Sequence, residues 1–547
     1  MKLTKVRAAV AAALVAATLA GCSAADAVTG ATVSDSSATT STASTASAEA
    51  GASVEDVLAD NQESHADADD ADVDLTDAVT VTLSGTSATA SGDGVTVDGS
   101  TVTVTAPGTY VLTGTLQGQV VVDSDVEGTV QLVLDDADIT SSSGPAVSVT
   151  TADEVVVVLA DGSDNSLEDG SDYGQESGTP NAALYSTADL TIGGTGSLTV
   201  TGNSNDGIGT TDGLVILSGT VTVTAVDDAI RGKDYIRVEG GTVTATGGGD
   251  ALKSDNGEDA DRGYVAILAG TLSLTAGDDG VSAATDAVVG GGTTTIAAQG
   301  DGIHGDVSAT VGGGTTTVTE SGEGLEGAVV TISGGTIDIT SSDDGVNASD
   351  GSGQTMGGGP GGGDSSSDGV SLTVSGGTVV VDAEGDGLDS NGSMTISGGT
   401  VVVSGPTGSG NGALDTNGTF EITGGTLVAA GSSGMAEAPS TDSSQGWLQA
   451  SFDSGYAAGT VIQVVRDGEV LASFTASKVF SNLVFSSADV TAGETYEIWV
   501  DGSPAGEATA GLALGGSTDG GTQLGTVTAG ESSGGQGGPG QGGGPGS

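Results

Sequence analysis

The sequence predicts an all-β chain, a right-handed parallel β-helix of about 22 residues per rung with a small C-terminal β cap. Three observations carry the prediction. From about Leu190 to Gly431 one phrase recurs: a glycine pair, a threonine, a short alternating strand and an acidic turn. The turn's acidic residue falls at Asp206, Asp228, Asp250, Asp279, Asp301, Glu323, Asp344 and Asp386, at spacings of 22, 22, 29, 22, 22, 21 and 42. A fixed period in this range, built from strands, is the signature of stacked coils, and the long steps are rungs carrying insertions. Within each phrase apolar residues alternate with Thr, Ser and Asp, as at Val221 and Val223 or Ile337 and Ile339. That is the period of a strand with one face in and one face out. Parallel crossovers are right-handed, which sets the expected hand.

The elements follow in chain order. Met1 to Gly21 has a basic start at Lys2, Lys5 and Arg7, then an apolar run ending Leu19-Ala20-Gly21-Cys22. This reads as a signal peptide, residues 1–21, closed by a lipobox, with Cys22 the acylated N-terminus. The run is too short to span a bilayer as a helix. The expected location is the extracellular face of the cell membrane, held by lipid alone. Residues 22–75 are Ser, Thr, Ala and Asp with few large apolar side chains, and read as a disordered tether. The run His65 to Asp70 lacks the turn glycine and final glutamate of an EF-hand loop and is assigned to that tether. No stretch shows an amphipathic helical period.

Strands begin at Val79, and residues 76–190 read as the first, less regular coils with their cap. Residues 191–435 are the regular repeats. An acidic insertion runs from Ser254 to Gly263, and a Gly-rich flap spans 350–369. The glycine pairs fit corners that need positive φ. Residues 436–505, richer in aromatics (Trp447, Phe474, Tyr496, Trp499), read as the β cap, and 506–547 as a disordered Gly-rich tail.

The formal charge of −63 over 547 residues argues against a nucleic-acid partner, which needs a basic surface. Inside the repeat the charges are positioned. Equivalent residues of a coil stack at about 4.8 Å, where two carboxylates repel by roughly 3 kcal/mol at an effective dielectric near 20. Protonation relieves this, and so does a bridging hard cation. Calcium–oxygen distances of about 2.3–2.6 Å double to the rung spacing. Asp206, Asp227, Asp228, Asp250, Asp255, Asp278, Asp279, Asp301, Asp306, Asp343, Asp344 and Asp386 are the candidate Ca2+ ligands. The competing reading is a turn aspartate bonded to its own backbone.

Several stretches resemble the bacterial carbohydrate-binding parallel β-helix family of calcium-binding surface proteins: Gly108 to Gly114, Asn205-Asp206-Gly207-Ile208, Asp227 to Asp234, Asp250 to Asp255 and Gly300 to His304. The resemblance covers about residues 79–435. It implies calcium-dependent binding of cellulosic or pectic glycans without catalysis. A structural adhesin and a calcium-dependent polysaccharide lyase stand as alternatives, the lyase needing a base from among Arg231, Lys233 and Lys253. Five of the seven basic residues of the mature chain lie between 231 and 262. Arg231 and Lys253, one period apart, are expected to stack and to receive an acidic sugar, with Lys233, Tyr235 and Tyr264 beside them. Neutralisation of neighbouring aspartates is the other reading of these cations. A monomer is expected, with polysaccharide as the partner and no catalytic residue.

Overall fold

The computed structural model describes residues 48–173, 179–351 and 367–532. These form an all-β chain with one short helix, dominated by a 40-stranded sheet whose pairings are nearly all parallel. Through most of the repeats each strand pairs with the strand three places further along the chain, and two places on where Ile303–Val311 and Leu325–Ile332 each serve two ladders, which gives three parallel ladders. One ladder runs through Asp206–Thr210, Ile230–Gly232 and Leu252–Ser254. The second runs through Gly213–Ile216, Tyr235–Val238 and Tyr264–Ile267. The third runs through Thr220–Ala225, Thr242–Gly247 and Thr271–Ala276.

The register stacks like on like. Val221, Val243 and Leu272 are successive partners, and so are Ile208, Ile230 and Leu252; all are buried in one continuous apolar core. The alternating pattern thus sends one set of side chains inward in every rung. The second glycine of each pair has positive φ, 81° at Gly241 and 80° at Gly292, where a side chain would be strained. A Cβ at Gly241 would also lie 2.7 Å from the Gly219 carbonyl oxygen of the rung below.

At the C-terminal end the parallel stacking stops. Phe480–Ser486 pairs antiparallel with Thr426–Gly431 and with Trp447–Tyr456. A separate five-stranded antiparallel sheet follows, in the order Leu512–Leu514, Glu469–Thr475, Val461–Arg466, Thr495–Val500, Thr522–Thr528. Antiparallel strands meet the last parallel rung and pair its edge. The β cap therefore extends to Thr528, and residues 506–532, expected as disordered tail, are part of it.

The second correction is at the N-terminal side. Residues 48–75, expected as disordered tether, form an ordered strap. Its helix, Val54–Asp60, opens with a capping box between Ser53 and Asp56. Val57 packs against Val215, Tyr235, Tyr264 and Val288 of the second ladder. The strap crosses the rungs in sequence. Gly51 N–H donates to Thr331 Oγ1 (3.2 Å), Asn61 Nδ2 to Asp286 Oδ2 (2.8 Å), and Tyr264 Oη to the Gln62 carbonyl (2.8 Å). His65 then bonds Tyr235 Oη and Thr191 Oγ1, and Gln131 Nε2 donates to the Asp70 carbonyl (3.1 Å). Among the described residues no helix is long and apolar enough to cross a membrane.

Two threonines interrupt the apolar stack. Thr294 and Thr316 are register partners, both buried, and neither hydroxyl finds a hydrogen-bond partner. Valine keeps their shape and removes the unpaired oxygen. Thr294→Val and Thr316→Val should each stabilise the fold by about 1 kcal/mol in denaturant unfolding. Destabilisation by both variants would show that the hydroxyls are satisfied.

Candidate functional site

The first ladder carries the acidic column. In each rung the acidic residue stands two places before the first inward apolar residue, as Asp228 before Ile230 and Asp250 before Leu252. Its carboxylate reaches the next rung. Asp228 Oδ1 accepts the N–H of Asp250 (2.9 Å), Asp250 Oδ1 that of Asp279 (2.8 Å), and Asp279 Oδ1 that of Asp301 (2.8 Å). Asp301 Oδ1 accepts from Glu323 (3.1 Å), Asp344 Oδ1 from Asp386 (2.6 Å) and Asp386 Oδ1 from Gly412 (2.5 Å). The aspartates thus satisfy the backbone of the following rung, where the turn reading expected bonds to their own. Each spends one oxygen on the fold and keeps the other.

Glycines make room for the pairs. A Cβ at Gly249 would lie 2.7 Å from both Asp227 Oδ1 and Asp228 Oδ1. Gly300 stands the same way over Asp278 and Asp279, and Gly385 over Asp343 and Asp344. Among the described residues four groups of acidic or histidine side chains bring their ligand atoms within 4.8 Å of one another: Asp67, Asp69 and Asp70 on the strap, and on the ladder Asp206, Asp227 and Asp228; Asp250, Asp278 and Asp279; and Asp301, His304 and Glu326.

One place beyond the inward apolar residue, a second column faces outward. Its register runs Gly209, Arg231, Lys253, Ser282, His304, Glu326, Asn347, Asp389, Asp415. Arg231 and Lys253 stack as expected, and both are engaged. Lys253 Nζ lies 2.7 Å from Asp250 Oδ2 and 3.3 Å from Asp228 Oδ2, between two rungs. Arg231 Nη2 lies 2.6 Å from Asp255 Oδ2. Asp255 is therefore an ion-pair partner, and so is Asp306, whose Oδ1 lies 2.9 Å from His304 Nε2. His304 Nδ1 meets Glu326 Oε2 at 2.6 Å. Burial works against charge on His304, but its bonds to Asp301, Asp306 and Glu326 outweigh that and push it up to about 12. Lys233 is half-buried and makes no ion pair among the described residues. Arg262 pairs with Asp234, and Arg237 with Glu239.

Tyr235 and Tyr264 do not line this surface. They belong to the second ladder, are fully buried under the strap, and stack on each other with ring centroids 5.2 Å apart. No face of either ring is open to a sugar.

Beyond Glu326 the column changes character. Asp344, Asp386 and Asp389 have no lysine, arginine or histidine in ion-pair range among the described residues. Burial, then mutual repulsion, pushes Glu323 up to about 8, Asp344 to about 6, Asp386 to about 7, Asp389 to about 8 and Glu437 to about 7. Asn347, 8 % exposed, stands between Glu326 and Asp389. Its Nδ2 donates to Glu323 Oε2 (2.9 Å), while its buried Oδ1 has no partner. An amide oxygen is a hard donor of the kind a divalent cation accepts, though the carboxylates whose ligand atoms converge lie in the groups named above. His304, Glu326, Asn347 and Asp389 went unnamed as an outward set, although their offset from the acidic residue is the one that picked out Arg231 and Lys253.

The outward column stands on a long parallel sheet, and this stretch of the chain is similar to known proteins. The model of a family described as carbohydrate-binding domain-containing protein matches residues 98–369 and supports that family for this stretch. A carbohydrate-binding domain-containing protein of Acetivibrio thermocellus is 36% identical over 126 residues, 22% of this chain and 44% of that protein. The matched part thus spans less than half of that relative. A solved structure, the polysaccharide lyase-like protein from C. thermocellum as a gadolinium derivative, is 32% identical, with 46% of this chain and 96% of that chain covered and a TM-score of 0.39.

The raised carboxyls set the pH response. Their native values lie above the unfolded ones near 4, so the stability they lend is complete below about pH 4 and is lost as pH rises through 6 to 8. His304, held charged, acts in the same sense. His65 opposes it: burial pulls it down to about 4 from 6.5, and its contribution is lost as pH falls through that window. One imidazole faces a column of carboxyls. In chelator, the melting temperature should fall between about pH 5 and pH 8. A steady rise over that range would contradict the column's role.

Proposed function

We propose that this chain is a non-catalytic polysaccharide-binding protein of the cell surface. Its three ladders close into a right-handed parallel β-helix, and calcium stiffens the acidic column. The observation that carries the reading is the match of residues 98–369 to a carbohydrate-binding domain family. The outward column supports it: an uninterrupted file of register-matched side chains suits a linear polymer.

The calcium part divides along the column. From Asp228 to Asp306 the protein supplies cations of its own, through Lys253, Arg231 and His304. Beyond Glu326 none of these three reaches the column among the described residues, while Lys478 pairs with Asp382 and Glu384 beside it; Asp343, Asp344, Asp386 and Asp389 with Asn347 Oδ1 are the residues that would hold an ion. A bound ion would offset the burial and repulsion that now raise Asp344, Asp386 and Asp389. The clusters Asp206–Asp227–Asp228 and Asp250–Asp278–Asp279 are further candidates. Melting in calcium against chelator at about pH 8 tests this. An unchanged midpoint would leave the aspartates to their backbone bonds alone.

A lyase reading needs a neutral base. Arg231 and Lys253 are locked in ion pairs that raise them further against burial, so both hold their protons at neutral pH. This removes two of the three candidate bases and leaves Lys233, so turnover is decided by assay, and the structural adhesin stands as the second reading. A glycan array with and without calcium separates the two: the binding reading expects retention of acidic or cellulosic polysaccharide, and no retention would favour the adhesin. Polygalacturonate incubated with calcium should yield no unsaturated uronate chromophore.

The lipid anchor at Cys22 lies outside the described residues, as does most of the 350–369 flap. Cys22→Ser should shift the protein from the membrane fraction to the medium or leave it unprocessed. Unchanged membrane retention would remove the anchor from this reading.

A further inference from the structure

We propose that a groove at the N-terminal end of the outward column is a subsite for an uncharged sugar chain. The proposal rests on the carbohydrate-binding reading and specifies where a neutral polymer sits. The column continues upstream of Gly209. Gly209 pairs with Tyr185, Tyr185 with Ser148, and Ser148 with Val121. Around Val121 and Ser148 lies a cavity of about 640 Å³, lined also by Gln119, Pro145, Tyr173 and Pro180. That volume is in the range of small-molecule sites.

Its chemistry differs from the rest of the surface. In a chain with 73 acidic residues, Asp172 alone is charged among the described residues of the lining. Two proline rings, a valine and a tyrosine give apolar faces for the C–H surface of a sugar ring. The Gln119 amide and the Ser148 and Thr150 hydroxyls, on the same lining, give uncharged partners for sugar hydroxyls. The tyrosine is set in place beforehand: its hydroxyl donates to Asp169 Oδ2 (2.6 Å) and lies 2.9 Å from the Ala182 carbonyl oxygen. A fixed ring loses little freedom on binding. Among the described residues no lysine or arginine lines the groove, so a uronate carboxylate buried there would find no cationic partner among them. Arg231 lies three register steps from Ser148, roughly 14 Å at the strand spacing. Neutral and anionic sugars therefore have separate places on one file.

The test uses the full chain, calorimetric titration and two probes, cellohexaose and hexagalacturonate. Val121→Asp puts a charge in the groove, Thr150→Trp fills it from an exposed position, and Gln119→Ala removes only an amide. Each should weaken cellohexaose by about tenfold or more and leave hexagalacturonate within about twofold, with the melting temperature of the wild type. Wild-type cellohexaose affinity in the folded variants, or equal loss of both probes, would overturn the groove. A wild-type protein that binds hexagalacturonate alone would overturn the groove and keep the carbohydrate reading. One that binds neither probe would overturn both.

Discussion

The chain is governed by the vertical register of its ladders. Parallel strands at a fixed spacing put each residue directly over its counterpart, so any property placed once per rung becomes a column. For apolar residues this is favourable, and one core cluster extends from Val81 to Trp447, with Thr294 and Thr316 set into its stack. For carboxylates it multiplies repulsion. Yet the fold uses the aspartates where they stand, because each turn leaves an N–H that the carboxylate below can take. The charge is thus a by-product of satisfying the backbone, and the protein must dispose of it.

It does so differently along its length. In the middle rungs Lys253 sits between two carboxylates, and His304 gathers three acidic side chains around it. Towards the C-terminal end, acidic residues occupy the outward column as well as the turn, and the buried amide oxygen of Asn347 adds to them. The outward file thereby grades from uncharged, through cationic, to acidic. A fold that repeats its backbone has varied one side-chain position per rung to make three chemically distinct surfaces.

Much of this was legible as spacing. The Gly-Gly-Thr phrase marks the corner because only glycine tolerates that φ beneath a neighbouring carbonyl. The stacking of Arg231 over Lys253 followed from their separation of one period. What spacing does not encode is which face is covered. Tyr235 and Tyr264 do stack in register, but their side of the sheet lies under a segment some 170 residues earlier in the chain. That segment looked unfolded because its helix is one of seven residues with a single buried side chain, Val57. Its order comes from partners such as Asp286 and Thr331, which no local pattern announces. The cap was underestimated for a similar reason: Thr522–Thr528 gains its place by pairing with Thr495–Val500, not from its own composition.

The strap's direction has a mechanical consequence. Its first attachment in chain order is to Thr331 and its last to Gln131, so it runs back along the stack before the chain enters the first strand at Val79. Tension on its N-terminal end would break these bonds one after another, as a zipper opens, and not all together. About 25 residues would pay out, roughly 80–90 Å of extended chain, before load reached a parallel ladder. Under such load the strap would yield in series with the sheet, its hydrogen bonds and the packing of Val57 giving way while the stacked rungs stayed intact.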